Sequence, residues 1–177
     1  MSSFTGTPSA ALAAIALASA EHALDISNTI EIIEAAAVTS VPALDADSNT
    51  ISGDVVVDSG SQWFQWKIAG TPEFTDNSKG STGNQSFTNV LTVFVPLKRD
   101  AVNHQLNLLL NGEFLVRFGT IDGTKRLMGT EFSAAMIAEG GIQGVINGEQ
   151  NGFTVTFQNH GRLVPNYTGA VAFTPAP

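Results

Sequence analysis

Phe87-Thr88-Asn89-Val90-Leu91-Thr92-Val93-Phe94-Val95 sets the fold class of this chain. Phe87, Leu91, Val93 and Val95 fall on one face of an extended backbone, the period-two signature of a strand. Val90 and Phe94 lie on the opposite face and predict that both faces are covered over part of the length. C-terminal to this strand, Pro96 suits a helix entrance. Residues 97–111 then read as an amphipathic helix, with Val102, Leu106, Leu109 and Leu110 at helical spacing and Asn111-Gly112 as its end. Hairpins follow: Glu113–Gly119, a turn at Asp122-Gly123, then Arg126–Gly129. Strands are read at Glu131–Met136 and Gly152–Asn159, the latter with Phe153, Val155 and Phe157 alternating against Thr154, Thr156 and Gln158. The tail Pro175-Ala176-Pro177 reads as frayed.

N-terminal to the same strand, the chain is almost wholly polar from Thr71 to Ser86. Such a stretch buries too little apolar surface to hold itself in place, which predicts a long loop or mobile arm at about 71–86. Earlier strands are read at Ile26–Ile33, Val55–Val57 and the aromatic segment Trp63, Phe64, Trp66, Ile68. Trp63 and Trp66 are three apart and so point to opposite faces of a strand, one to the core and the other to a subunit contact. The run Ala10–Ala20 is apolar but too short to span a bilayer, and no Lys or Arg precedes it as in a secretory signal. It reads as an Ala-rich helix packed on its own or a neighbouring subunit, with Ser9 as its cap. The expectation is an N-terminal arm or helix over 1–24 and one β-rich domain over 25–174. Strands, one helix, then hairpins describe a mainly β protein, a β-sandwich or partial barrel carrying one helix, and not a βαβ repeat.

Charge is unevenly placed. Met1 to Trp66 contains no Lys or Arg but holds Glu21, Asp25, Glu31, Glu34, Asp45, Asp47, Asp54 and Asp58; all eight basic residues come later. The net charge of −8 argues against a grip on nucleic acid, which needs clustered cations to displace counterions. It allows a wall past which nucleic acid slides. Charged residues make up 14% of the 177, well under the usual level of about 25%, as for a surface partly covered by neighbours. Asp45, Asp47, Asp54 and Asp58 are the candidates for an anionic surface.

No catalytic constellation is present. Cysteine is absent, which removes disulfides, thiolate nucleophiles and zinc-thiolate sites. There is no Gly-x-Ser-x-Gly elbow, Walker loop or His-Glu-x-x-His motif. His22, His104 and His160 are scattered, and Asp100 with His104 reads as a helix-surface pair. Asp45-Ala46-Asp47-Ser48-Asn49 opens like a calcium loop, but Thr50 and Val56 stand where Gly and Glu are needed, so a solvated turn is expected. Lys125-Arg126 beside Asp122 reads as a solvated hairpin tip, with an inter-subunit salt bridge as the alternative. No catalytic, cofactor-binding or metal residue is assigned.

From about Asn77 to Gly169 the chain resembles the tail tube proteins of tailed bacteriophages. The resemblance is carried by the loop Asn77–Gln85 running into the strand Ser86–Val95, and by the helix Lys98–Leu110. It continues in the strand–turn–strand Phe114–Gly129 ending Leu127-Met128-Gly129, and in the Gly-rich approach to Asn151-Gly152-Phe153. It implies a β-sandwich or partial barrel of tail-tube type that stacks as homo-hexameric rings around a lumen, with the 71–86 segment reaching the next ring. It also implies assembly in the host cytoplasm, residence in the virion tail, contact with other tail or neck proteins, and DNA passing without specific binding. No membrane partner is implied. Trp66, Phe74 and Phe87 are expected at inter-subunit contacts. The alternatives are another virion component (a terminator, neck or capsid decoration protein) and a carbohydrate-binding β-sandwich using Trp63, Trp66 and Asp45/Asp47 with calcium.

Overall fold

The computed structural model describes residues 7–22, 28–96, 103–130, 133–146 and 151–177. Helix α1 spans Pro8–His22. Strands β1 (Asn28–Glu34), β2 (Val38–Ser40), β3 (Thr50–Ile51), β4 (Val56–Val57), β5 (Phe64–Ser81) and β6 (Asn84–Pro96) follow. Helix α2 (Asn103–Leu109) precedes β7 (Glu113–Gly119), β8 (Lys125–Met128), β9 (Ala135–Ile146), β10 (Asn151–Gly161) and β11 (Asn166–Tyr167).

The protein is mainly β, built on a closed barrel of six strands with additional strands outside it. Neighbours run β1-β5-β6-β10-β9-β7, all antiparallel, and β7 returns to β1. The sandwich alternative gives way to a barrel because β1 pairs on both edges: Ile30 lies opposite Trp66 of β5 and Phe118 of β7. Strands β8, β11 and β3 continue the sheet outward from β7, and β2 and β4 form a separate ribbon.

Alternation sorts the side chains. Ile30, Ile32, Trp66, Leu91, Val93, Val95, Phe114, Val116, Phe118, Phe153, Val155 and Phe157 fill the barrel. The opposite faces of β1 and β7 carry Ile33 and Leu115 into a second core with Trp63, Leu127 and Tyr167, roofed by residues 35–57 and 171. Val90 and Phe94 are half-buried, as the broken alternation of β6 predicts.

Helix α1 is fixed by local chemistry and by the barrel. The cap is Thr7, not Ser9: the Thr7 hydroxyl accepts from Ala10 N–H at 3.2 Å, with Pro8 at the first helical position. Ser9 instead donates to Glu34 Oε2 at 2.6 Å. Ala11, Leu12 and Ile15 join the barrel core. The indole N–H of Trp66 donates to Leu12 O at 3.1 Å, and Lys67 N–H donates to the buried Ser19 hydroxyl at 3.1 Å. Over Phe64–Ile68 the edge of β5 away from β1 has no strand partner among the described residues, and α1 covers it.

Three expectations are corrected. The 71–86 segment is not a loop: β5 and β6 continue as a paired ladder to Ser81↔Asn84, closed by a two-residue turn at Thr82-Gly83. Gly83 has φ +86°, which a side-chain-bearing residue adopts only under strain. The strand read at Glu131–Met136 starts at Ala135 and runs on to Ile146, Glu131 lying outside the described residues. The C-terminal tail is pinned: Ala176 N–H donates to Ser61 O at 2.9 Å and Gly60 N–H to Ala176 O at 2.8 Å. The expected helix over 97–111 is α2, and its first residues, 97–102, lie outside those described.

One ion pair crosses the β1–β7 seam. Arg117 Nε donates to Glu31 Oε2 at 3.2 Å, with side chains 15% and 4% exposed. Removing one member strands the other in a poor dielectric. Arg117→Met is expected to cost about 3–5 kcal/mol in urea unfolding, and Glu31→Leu/Arg117→Met to recover most of it. A loss below about 1 kcal/mol for Arg117→Met would show that the pair is solvated rather than buried.

Candidate assembly surface

Within the barrel, β5, β6, β10 and β9 form one continuous four-stranded sheet made of two long hairpins. Its outer edges leave the barrel at opposite corners. On one side, β5 pairs with β1 only as far as Ile68. Gly70, with φ +72°, bends the strand there, and the register against β6 slips between Ala69 and Glu73. From Thr71 to Ser81 the far edge of β5 has no strand partner among the described residues. On the other side, β9 pairs with β7 only at Ala135 and Met136, and from Ile137 to Ile146 its far edge is likewise open. Because β5 and β9 run in opposite senses, copies related by rotation about an axis along the strands would meet there antiparallel.

The face of this sheet turned away from the barrel is mostly polar, interrupted by Val90 and Phe94 on β6 and Met136 on β9. Thr75, Asn77, Thr88 and Thr92 on the β5–β6 hairpin continue into Thr154, Thr156 and Gln158 on β10 and Gln143 on β9. The residues opposite them in sequence parity are the barrel core. Thr92 and Thr156 hydroxyls lie 3.3 Å apart, and Thr88 Oγ1 is 3.2 Å from His160 Nδ1. The charges on the projecting strand are Glu73, Asp76 and Lys79, with Glu73 and Lys79 on this outward face.

The predicted contact residues fare differently. Trp66 is fully enclosed in the barrel, so it is unavailable to a neighbour and its role is packing: its ring lies 6.2 Å from that of Phe157. Its partner Trp63 is enclosed in the second core, so the two do point to opposite faces, yet both are interior. Phe74 sits where β5 leaves the barrel, its ring 4.9 Å from Phe118 with the Arg126 guanidinium 5.6 Å above it. Phe87 is half-buried on the same face of the arm, opposite Ser78.

Asp45, Asp47, Asp54 and Asp58 are all exposed, but not on the four-stranded sheet. They lie in the segments that roof the second core over β1 and β7, across the barrel from β6 and β10. Three are tied into loops: Asp45 Oδ1 accepts from Ser52, Asp54 Oδ1 from Ala170 N–H and Asp58 Oδ1 from Thr39. Asp47 has φ +59° in the turn after Asp45.

Catalytic geometry is not assembled among the described residues at a cleft of about 440 Å³ beside Ser133, His160 and Arg162. The Ser133 hydroxyl donates to the backbone oxygen of His160, while the imidazole turns outward to Thr88 and Gln158. Below it, Asn89 Nδ2 donates to Asn159 Oδ1 and Arg162 O, cross-linking β6 to β10 and the following loop. Among the described residues no three His, Asp or Glu side chains are grouped to hold a metal, and no helix is long and apolar enough to cross a membrane. No protein-family model, curated protein or solved structure matches the chain.

The β7–β8 turn carries a perturbed acid. Hydrogen bonds from the Thr120 hydroxyl, then the Thr124 hydroxyl (2.7 Å) and Thr124 N–H (3.1 Å), hold Asp122 down to about 2 from the usual 3.8. A depressed carboxylate stabilises the fold above its unfolded value, and that contribution is lost as pH falls through the folded one. The turn is therefore expected to keep its bonds at pH 3 and to lose them toward pH 2. Carbon-13 titration of the Asp122 carboxylate is the check: a midpoint near 2 is expected, and one near 4 would show the three bonds absent in solution.

Proposed function

We propose that this protein is a structural subunit that self-assembles into stacked rings forming the tail tube of a tailed bacteriophage, the conduit for genome ejection. The observation that carries the reading is the four-stranded sheet with open main-chain edges at two opposite corners. Copies of the same sheet can complete it: at one height the open β5 and β9 edges face each other around the rungs level with Thr156, and a stagger along the strands would bring more of each edge into register. Six copies would give a ring of 24 strands, about 37 Å across at the backbone before strand tilt widens it. The polar outward face of the sheet would line the bore. Its threonines, asparagines and glutamines, with Lys79 near the hairpin tip offset by Glu73, give DNA no cluster of cations to grip, so the genome would pass without specific binding.

This lining differs from an acidic one. Asp45, Asp47, Asp54 and Asp58 would lie on the outside of such a ring, where other tail or neck proteins are met. The β5–β6 hairpin, which continues past the end of β1, is the element that would reach an adjacent ring. Tube assembly in the host cytoplasm and residence in the virion tail belong to the same proposal. The carbohydrate-binding alternative loses its platform, because Trp63 and Trp66 are both interior.

The test is assembly itself. Purified, concentrated protein is expected to show hollow rings or tubes by negative-stain electron microscopy, with a solution mass about six times the 18.5 kDa protomer or larger. A closed ring that never stacks would favour a terminator or neck protein. A monomer at every concentration would overturn the proposal.

A further inference from the structure

Beside the open edge of β5, a cleft of about 420 Å³ is lined by Thr71, Pro72, Phe74, Asp76, Phe118 and Arg126. It holds two groups short of partners. Arg126 Nε and Asp76 Oδ1 are out of contact with solvent and make no hydrogen bond. The Arg126 guanidinium is held over the Phe74 ring, which fixes its position without satisfying its donors. Ile121, 95% exposed in the adjoining turn, forms part of the rim. A guanidinium presented this way, with free donors in a half-dry cleft, calls for a carboxylate.

The open edge of β9 offers one. Glu139 is the only charged residue of β9. It is exposed, and its carboxylate has no partner among the described residues. It lies in a bulge: Phe157 pairs with Ile137 and Val155 with Ile142, so residues 138–141 crowd opposite Thr156. Bulges turn a side chain out of the ladder and are typical of strand edges. The height also agrees. Thr156 pairs with Thr92, and Thr92 with Glu73, the residue before Phe74. Glu139 and the Arg126–Phe74 stack therefore stand within about one rung of each other, on opposite open edges of the same sheet.

We infer that Glu139 of one copy enters this cleft on the next copy and pairs with Arg126, locking the β9–β5 seam between subunits. The inference rests on the ring reading above and names the side chains that give its seam a register. Main-chain pairing alone leaves a strand edge free to slip. A buried ion pair at one rung selects a single register and penalises the others. Asp76 Oδ1 remains as an acceptor for an N–H of the incoming strand.

Charge exchange tests it. Glu139→Arg and Arg126→Glu are each expected to raise the concentration needed for assembly about tenfold or more, while Glu139→Arg/Arg126→Glu returns it close to that of the unaltered protein. Glu139 is exposed, so its variant should fold, as circular dichroism would verify. Arg126→Met keeps the stem on Phe74 and removes only the charge, and is expected to weaken assembly likewise. Unaltered protein that assembles alongside single variants that assemble equally well would overturn the pairing and leave the ring reading standing. Folded single variants that both fail without rescue in the double variant would also overturn it. Unaltered protein that stays monomeric would bring down both.

Discussion

Everything in this molecule depends on β1 being paired along both edges. A strand held on one side only would leave an open sheet with one face in water. Because Ile30 and Ile32 meet β5 on one side and β7 on the other, the sheet curls shut and its inward residues become a core sealed from solvent. The same strand divides the protein energetically. Its even-numbered isoleucines fill the barrel, while Ile33 and the Glu31–Arg117 pair belong to the layer outside. The wall between the two cores is one strand thick.

Closure at one place leaves the four-stranded sheet unfinished elsewhere. β1 and β7 are short, seven residues each, whereas β5 has 18 and β6 has 13. Short strands cannot cover long ones, so the surplus projects as open edges at two corners. Natural proteins guard such edges with charge and proline. Here Pro72 removes a donor from the β5 edge, and Glu73, Asp76 and Lys79 surround the remainder. A guarded edge of this type resists random pairing while admitting a partner of matched shape and charge.

The legible parts of the sequence were those in which one physical signal acted alone. The alternation in β10, and the broken alternation in β6 where Val90 and Phe94 are half-buried, mark one face as core, and both strands are identifiable from it. The helical spacing of Leu106 and Leu109 placed α2. The arm escapes a reading from sequence because beyond Asp76 both of its faces meet solvent: with no dry side there is no alternation, and Asn77–Gln85 has the composition of a loop although it forms a ladder. The second half of β9 was lost for a related reason, since Gly140 and Gly141 sit in a bulge and look like a turn. Trp66 was assigned outward because spacing distinguishes two faces but cannot say that both are covered. The open edges left no trace in the sequence, because an edge is the absence of a neighbour and only the closed topology reveals it.

The separation of paired segments along the chain has a consequence in time. Glu31 lies 86 residues from Arg117, and Trp66 lies 54 from Leu12. On the ribosome, β1 is made early and its β7 partner emerges only after more than half the chain. Until then β1 and the alanine-rich helix have only β5 and β6 to dock on, and the barrel stays open along the other edge of β1. The stretch carrying both is also the one with no Lys or Arg, so unfinished chains carry an excess of negative charge from the start. Nascent copies on neighbouring ribosomes would repel one another. An asymmetry that looks like a surface property of the finished protein would thus act earlier, as a safeguard during synthesis.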